Sequence, residues 1–228
     1  MPLDPANAIR LSLLVGAAAT TLAVVPAIAV GYALSRWRFP GKFLVSTLVM
    51  APLVLPPVVT GLLLLWTFGR SSPLGQLFES IGLPVPFSLF GAVLSALVVG
   101  FPFFVLTTRA AFDAVDPRLE ELSRAFGVPP VRTFFRVSLP LAMPGIAAGT
   151  VLAFARALGE FGATAVIAGN IEGKTRTIAL AIYSSLDAPD GDSAARTLLL
   201  ASIAMSATAL FGFEALNRWH LRRLHADG

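Results

Sequence analysis

The chain has 228 residues, of which 56% are hydrophobic and only 13% are charged. Soluble domains carry about 25% charged residues, so this deficit indicates a membrane protein. The chain has no cysteine and only two histidines, which excludes disulfides, thiolate metal sites and a histidine-based catalytic or metal cluster. The net charge of +4 does not indicate nucleic-acid binding, because the arginines follow the ends of apolar runs, as in membrane proteins.

Five apolar runs are taken as membrane spans, since a bilayer core needs about 20 apolar residues per helix. In chain order they cover residues 11–35, 43–69, 80–108, 137–168 and the somewhat shorter 197–213. The first run follows an acidic residue, Asp4, so it is predicted to be a span and not a cleaved signal peptide. Prolines within the runs are expected to kink or break the helices.

One further apolar stretch, residues 177–186, is too short to span at about 1.5 Å per residue. It is predicted to be either a half-helix entering from the outside or a helix on the membrane surface. A sixth full span is a further alternative, although it would upset the alternation of charge described next.

Basic segments alternate with less basic ones along the chain. Arginine and lysine gather after the first run, in the segment 109–136 and in the tail from Arg218, whereas the intervening segments carry more acid. Because cytoplasmic segments are enriched in arginine and lysine, we predict an N-terminus outside the cell and a C-terminus in the cytoplasm.

A charged segment, residues 116–140, interrupts the apolar chain and is called the strip below. Its sequence is DPRLEELSRAFGVPPVRTFFRVSLP. Asp116 is a typical N-cap with Pro117 at the first helical position, and Gly127 is a typical C-terminal stop. Pro130 is expected to begin a second short helix. The strip is therefore either a pair of amphipathic helices on the membrane surface or a docking element for a soluble partner.

The spacing within the strip is specific. Glu121 precedes Gly127 by six residues, and nine residues separate that glycine from Val137, which is followed by Leu139 and Pro140. This pattern resembles the cytoplasmic EAA loop of binding-protein-dependent ABC importer permeases, although Leu122 stands where the family usually has a small residue. The resemblance covers about residues 8–220.

The resemblance implies an all-α integral membrane protein with the type I ABC importer transmembrane fold. The chain would form a single domain over residues 1–228, with a coupling loop at about 112–139. The ATPase-coupling residues would be Glu120, Glu121, Leu122, Arg124, Phe126 and Gly127.

Residues 156–183, RALGEFGATAVIAGNIEGKTRTIALAIY, resemble the molybdate/tungstate permease branch, whose near relatives are the sulfate permeases. The resemblance implies a homodimer with two cytoplasmic ATPase subunits and an external binding protein, which together import molybdate or tungstate across the inner membrane. Sulfate or thiosulfate import is the alternative. A stand-alone channel or an ion-coupled carrier is a more remote one. The chain lacks the phosphate-binding pattern G-x-x-x-x-G-K-[ST], so it is expected to be neither an enzyme nor a cofactor-binding protein.

Two charges, Arg156 and Glu160, interrupt the fourth run at spacing i, i+4 and are expected to pair on one helix face. Ionisable residues within spans are functional candidates, so both are assigned to the translocation path, with Thr164 and Asn170 as neutral hydrogen-bonding groups. The alternatives are a structural ion pair and, for the two neutral residues, helix caps or turns.

Overall fold

The computed structural model describes residues 4–186 and 191–226, and within these ranges the chain is helical and contains no strand. The elements are α1 (Pro5–Arg36), α2 (Lys42–Val54), α3 (Pro57–Phe68), α4 (Pro73–Ser80), α5 (Leu89–Asp113), α6 (Pro117–Ala125), α7 (Pro130–Thr133), α8 (Leu139–Leu158), α9 (Gly162–Ile167), α10 (Ile178–Ser185) and α11 (Gly191–Ala226). A π-helical turn, Phe134–Ser138, joins α7 to α8. The predicted all-α class is confirmed.

Four helical stretches are long and apolar enough to cross a membrane. They are Pro5–Arg36, Leu89–Asp113, Pro130–Leu158 and Asp192–Ala215. A fifth candidate is the bent pair of α2 and α3. Length and composition therefore support four spans, or the predicted five when the bent pair is counted as one.

The second apolar run is not one straight helix. Its halves, α2 and α3, are bent by 117° at Leu55 and Pro56, which both adopt extended backbone. Two consecutive prolines, Pro56 and Pro57, explain the break, because each lacks an N–H and disfavours helical geometry in the residue before it. The expectation that prolines break the helices within the apolar runs is therefore confirmed for this run.

The centre of the bundle is the contact of α1, α5 and α8. Phe104 and Phe112 of α5 are fully buried there, against small residues of α1 such as Ala27. Gly31 of α1 permits this approach, because a Cβ atom built on it would lie 2.8 Å from the Cγ2 atom of Thr108. Small residues at helix crossings are typical of membrane bundles, where close packing replaces the hydrophobic effect as the driving force.

The bundle has two distinct ends. At the strip end, the C-termini of α1 and α5 meet the strip and the beginning of α8, and the Nη2 atom of Arg36 donates to the Val115 carbonyl at 2.6 Å. At the opposite, far end, α9 meets the segment before α5, where the Phe87 N–H donates to the Ile167 carbonyl at 2.9 Å.

The short apolar stretch 177–186 forms α10 at the far end. Ile178, Leu180 and Ala181 are buried, and the Ile178 N–H donates to the Ser12 hydroxyl of α1 at 2.8 Å. The helix packs between α1 and α11, so it is part of the bundle and not a separate surface helix. Its eight residues are too few for a sixth span.

The fourth apolar run also differs from the prediction. Helix α8 ends at Leu158, the chain breaks at Gly159–Phe161, and α9 is a separate short helix. The predicted continuation of one span to about residue 168 is therefore wrong, and the break falls at Gly159 and Glu160, a glycine and a charged residue within the otherwise apolar run.

Candidate functional site

The strip begins as a rigid capped helix. The Oδ1 atom of Asp116 accepts from the Arg118 N–H at 2.9 Å, and Pro117 occupies the first helical position. At the other end Gly127 adopts φ +79° and its N–H donates to the Arg124 carbonyl at 2.9 Å. The next N–H, of Val128, reaches the Ser123 carbonyl at 3.2 Å, which completes a Schellman cap. Both predicted boundaries of α6 are confirmed.

Most of the large apolar side chains of the strip point away from the protein, whereas Phe134 and Leu139 pack against the core. Five outward side chains have between 43% and 80% of their surface exposed, namely Leu119, Leu122, Phe126, Val131 and Phe135. An amphipathic helix on a protein surface ordinarily buries its apolar face. Contiguous exposed apolar residues bordered by charges mark interaction sites, so this outward apolar face is the candidate docking surface.

Glu120 faces the opposite way from the docking surface. It is 6% exposed, and its Oε1 atom accepts from the Nε atom of Arg36 at 2.9 Å and from the Ser138 hydroxyl at 2.8 Å. These two bonds join α6 to the end of α1 and to the beginning of α8. The family resemblance implies that Glu120 is a coupling residue. In the structure, however, its side chain bonds other parts of the same chain and is not exposed to a partner.

The other coupling candidates lie at the surface. Glu121 is exposed, and no cation whose side chain the structure describes pairs with it. Arg124 is also exposed, with its Nε atom donating to the Glu120 carbonyl at 3.2 Å. Sequence reasoning missed Arg36 and Ser138 as partners of Glu120. Arg36 indicated only the cytoplasmic end of the first span, and Ser138 indicated only the start of the fourth.

At the far end, Arg156 and Glu160 form the predicted ion pair, with the Nη1 and Oε2 atoms 3.0 Å apart. Glu160, however, lies beyond the end of α8, so the expectation of a shared helix face is wrong. Its Oε1 atom accepts from the Ala163 N–H at 2.9 Å and thereby caps α9. The Glu160 side chain is 2% exposed and that of Arg156 is 28% exposed, so only the arginine is open to a ligand.

The two neutral candidates have separate partners. The Thr164 hydroxyl is buried and lies 2.8 Å from the Ser95 hydroxyl of α5. Asn170 is exposed, where its Nδ2 atom donates to the Ser184 hydroxyl at 2.6 Å and its Oδ1 atom accepts from Arg176 at 2.8 Å. Within the described part of the chain, no hydrogen bond joins either residue to the Arg156–Glu160 pair.

This bundle with a charged strip before a late span is the architecture of an importer permease. The family model for the inner membrane component of binding-protein-dependent transport systems matches residues 27–226. The chain therefore belongs to that family.

Comparisons with individual proteins agree with this family membership. The chain is 45% identical over 213 residues to the molybdenum transport system permease protein ModB of Escherichia coli strain K12, covering 93% of each chain. It is 42% identical over 219 residues to the protein of the same name from Haemophilus influenzae, covering 96% of this chain and 94% of the relative. Among solved structures, it resembles the inward-facing MetNI methionine ABC transporter with a TM-score of 0.71 at 20% identity, covering 93% and 94% of the two chains. That last similarity supports the fold alone.

Proposed function

We propose that this chain is the permease subunit of an ABC importer that moves molybdate or tungstate into the cytoplasm. The single observation that carries the coupling role is the exposed apolar face of the strip, which is bordered by charged residues and so differs from the uncharged apolar surface of the spans. The molybdenum permease names of the relatives favour molybdate over the sulfate or thiosulfate alternative. The chain itself has no nucleotide-binding pattern, so ATP hydrolysis belongs to separate subunits.

The proposed assembly is a homodimer that encloses one path, with two cytoplasmic ATPase subunits and an external binding protein. The strip end is proposed to lie in the cytoplasm, because it carries Arg36, Arg38 and Lys42 in addition to the arginines of the strip. Since α1 runs from the far end to the strip end, its N-terminus lies outside. The whole chain acts as one transmembrane domain.

Docking is proposed to use Leu122, Phe126 and the neighbouring Leu119. Each contributes roughly 1.5–3 kcal/mol if the ATPase covers it fully. Glu121 and Arg124 border this face and offer charge-assisted hydrogen bonds, which are stronger than neutral ones. Gly127 supplies the left-handed turn that leads from this helix to α8.

The translocation path is proposed to pass Arg156. Its partly exposed guanidinium attracts an oxyanion, while Glu160, which is fixed by two bonds, limits how tightly the anion is held. A path residue must bind weakly, because the cargo has to leave. Asn170 is proposed to border the path near the far end with a neutral hydrogen-bonding group, whereas Thr164, also assigned to the path from sequence, is buried and bonded to Ser95 and is not open to it.

The test is uptake of labelled molybdate into vesicles that contain this chain together with its ATPase and binding protein. We expect uptake that needs ATP hydrolysis and that excess tungstate inhibits more strongly than excess sulfate. A non-hydrolysable ATP analogue is the matched control. Stronger inhibition by sulfate would favour the sulfate alternative, and uptake driven by an ion gradient without ATP would contradict an ABC importer.

A further inference from the structure

A basic cleft opens at the strip end, between the end of α1, the beginning of α2 and the strip. Its volume is about 450 Å³. The side chains that give it its character are Arg36, Arg38, Lys42, Arg124, Glu120 and Glu121. Four cations and two carboxylates leave an excess of two positive charges.

Two of the cations are available to a ligand. Arg36 already pairs with Glu120, and Arg124 is assigned above to the ATPase docking surface, but no carboxylate whose side chain the structure describes pairs with Arg38 or Lys42. The Lys42 ammonium donates a hydrogen bond to the Trp37 carbonyl at 3.1 Å, and its other N–H groups remain available to a ligand. The cleft therefore has the charge to hold a phosphate-type anion.

An apolar groove of about 380 Å³ lies on the same helices. It is lined by residues of α1, α2 and α5, which are Pro26, Leu48, Val49, Pro52, Leu97, Val98 and Phe101. At 1.5 Å per residue, Leu48 lies about 9 Å along α2 from Lys42, and Pro26 lies about 15 Å along α1 from Arg36. The groove is a separate cavity that lies farther along α1 and α2, toward the middle of the bundle, within the length of a phospholipid from the cleft.

The segment that lines the cleft and begins α2 is suited to the membrane interface. Trp37 is 58% exposed, and Phe43 at the beginning of α2 is 84% exposed. Exposed aromatic side chains at the end of an apolar span are typical of headgroup depth. No residue of α2 is fully buried, so the helix leaves room for an acyl chain beside it.

The geometry points to a binding site for an anionic glycerophospholipid, with its phosphate headgroup in the basic cleft and one acyl chain in the apolar groove. Basic pockets between membrane helices bind such headgroups. A free phosphate would use the cleft alone, whereas the apolar groove beside it on α1 and α2 favours the lipid. The site is separate from the proposed path and does not depend on which oxyanion is transported.

The test is native mass spectrometry of the full-length chain, purified in detergent and offered equal amounts of phosphatidylglycerol and phosphatidylcholine. We expect preferential retention of phosphatidylglycerol. Arg38→Gln and Lys42→Gln should each lower that preference about fivefold, the value of one basic side chain near a charged lipid surface. The matched control is Arg118→Gln with Arg132→Gln, which removes two exposed strip charges outside the cleft and should leave the preference unchanged.

Two further measurements distinguish a bound phospholipid from a free phosphate ion. Val49→Phe, which narrows the groove, should weaken phosphatidylglycerol retention, and inorganic phosphate alone should not displace the lipid. Equal losses in the cleft and control variants would overturn the site. Displacement by inorganic phosphate together with an unaffected Val49→Phe variant would show a free-anion site instead. If Arg38→Gln and Lys42→Gln abolish co-purification of the ATPase but leave phosphatidylglycerol retention unchanged, the cleft binds a protein partner instead of a lipid.

Discussion

Adjacent glutamates of the strip should behave in opposite ways when each is removed. Glu120 is buried and bonded to α1 and α8, whereas Glu121 is exposed and has no ion-pair partner in the described part of the chain. We therefore expect Glu120→Ala to destabilise the permease itself. Glu121→Ala should leave its stability unchanged, and Glu121→Lys should weaken its association with the ATPase.

The magnitude for Glu120 follows from its surroundings. The side chains of Arg36 and Glu120 are 12% and 8% exposed, so removing the carboxylate leaves a nearly buried guanidinium with only the Val115 carbonyl as a partner. Breaking such a pair costs about 3–5 kcal/mol, and the residual exposure favours the lower part of that range. Glu120→Gln keeps the shape and loses only the charge, so its cost should be about 1–2 kcal/mol.

The assay is unfolding of the purified permease in mixed micelles with an increasing mole fraction of SDS, followed by circular dichroism. Co-purification with the ATPase is measured on the same variants. Glu121→Ala is the matched control, since it removes the same side chain from the neighbouring position. Equal unfolding free energies for Glu120→Ala and Glu121→Ala would refute the assignment of Glu120 to an internal bond.

Three further outcomes follow from the same structure. Gly127→Val should strain the left-handed turn by about 1–2 kcal/mol and reduce uptake while ATP is still hydrolysed, whereas Gly127→Asn should be tolerated better; equal uptake in both would contradict a coupling role. Arg156→Ala should reduce oxyanion uptake without loss of the proposed homodimer in size-exclusion chromatography, and loss of assembly would indicate a structural pair instead. A cysteine at Ser71 should react with an impermeant maleimide from outside and one at Ala125 only after permeabilisation; the reverse would contradict the topology.

The spans and the strip boundaries could be predicted from sequence because they depend on local features. A run of about 20 apolar residues is sufficient to indicate a span. Asp116, Pro117 and Gly127 define the ends of α6 through local backbone bonds, which the structure reproduces. The breaks within the apolar runs could be predicted only in part. Two prolines indicate an interruption of the second run, but they do not determine its angle of 117°.

The inward orientation of Glu120 could not be predicted from sequence, for a geometric reason. At 100° per residue, Glu120 and Glu121 lie at nearly equal angles on either side of the apolar face of α6. Periodicity would also place that apolar face against the protein, yet Leu122 and Phe126 are exposed. What orients the helix is Arg36, which is 84 residues away in sequence and carries no local signal.

The strip is mechanically continuous with the far end of the bundle. Pro130–Leu158 is one helical stretch of 29 residues, about 44 Å long, and the Ser138–Glu120 bond fastens α6 to it. A partner that displaces α6 must therefore move this stretch or break a buried bond. Since helices are stiff along their axes and this one breaks only after Leu158, the displacement should reach Glu160, which joins it to α9. We therefore expect alternating access to show its largest rearrangement between α8 and α9, and not within the strip.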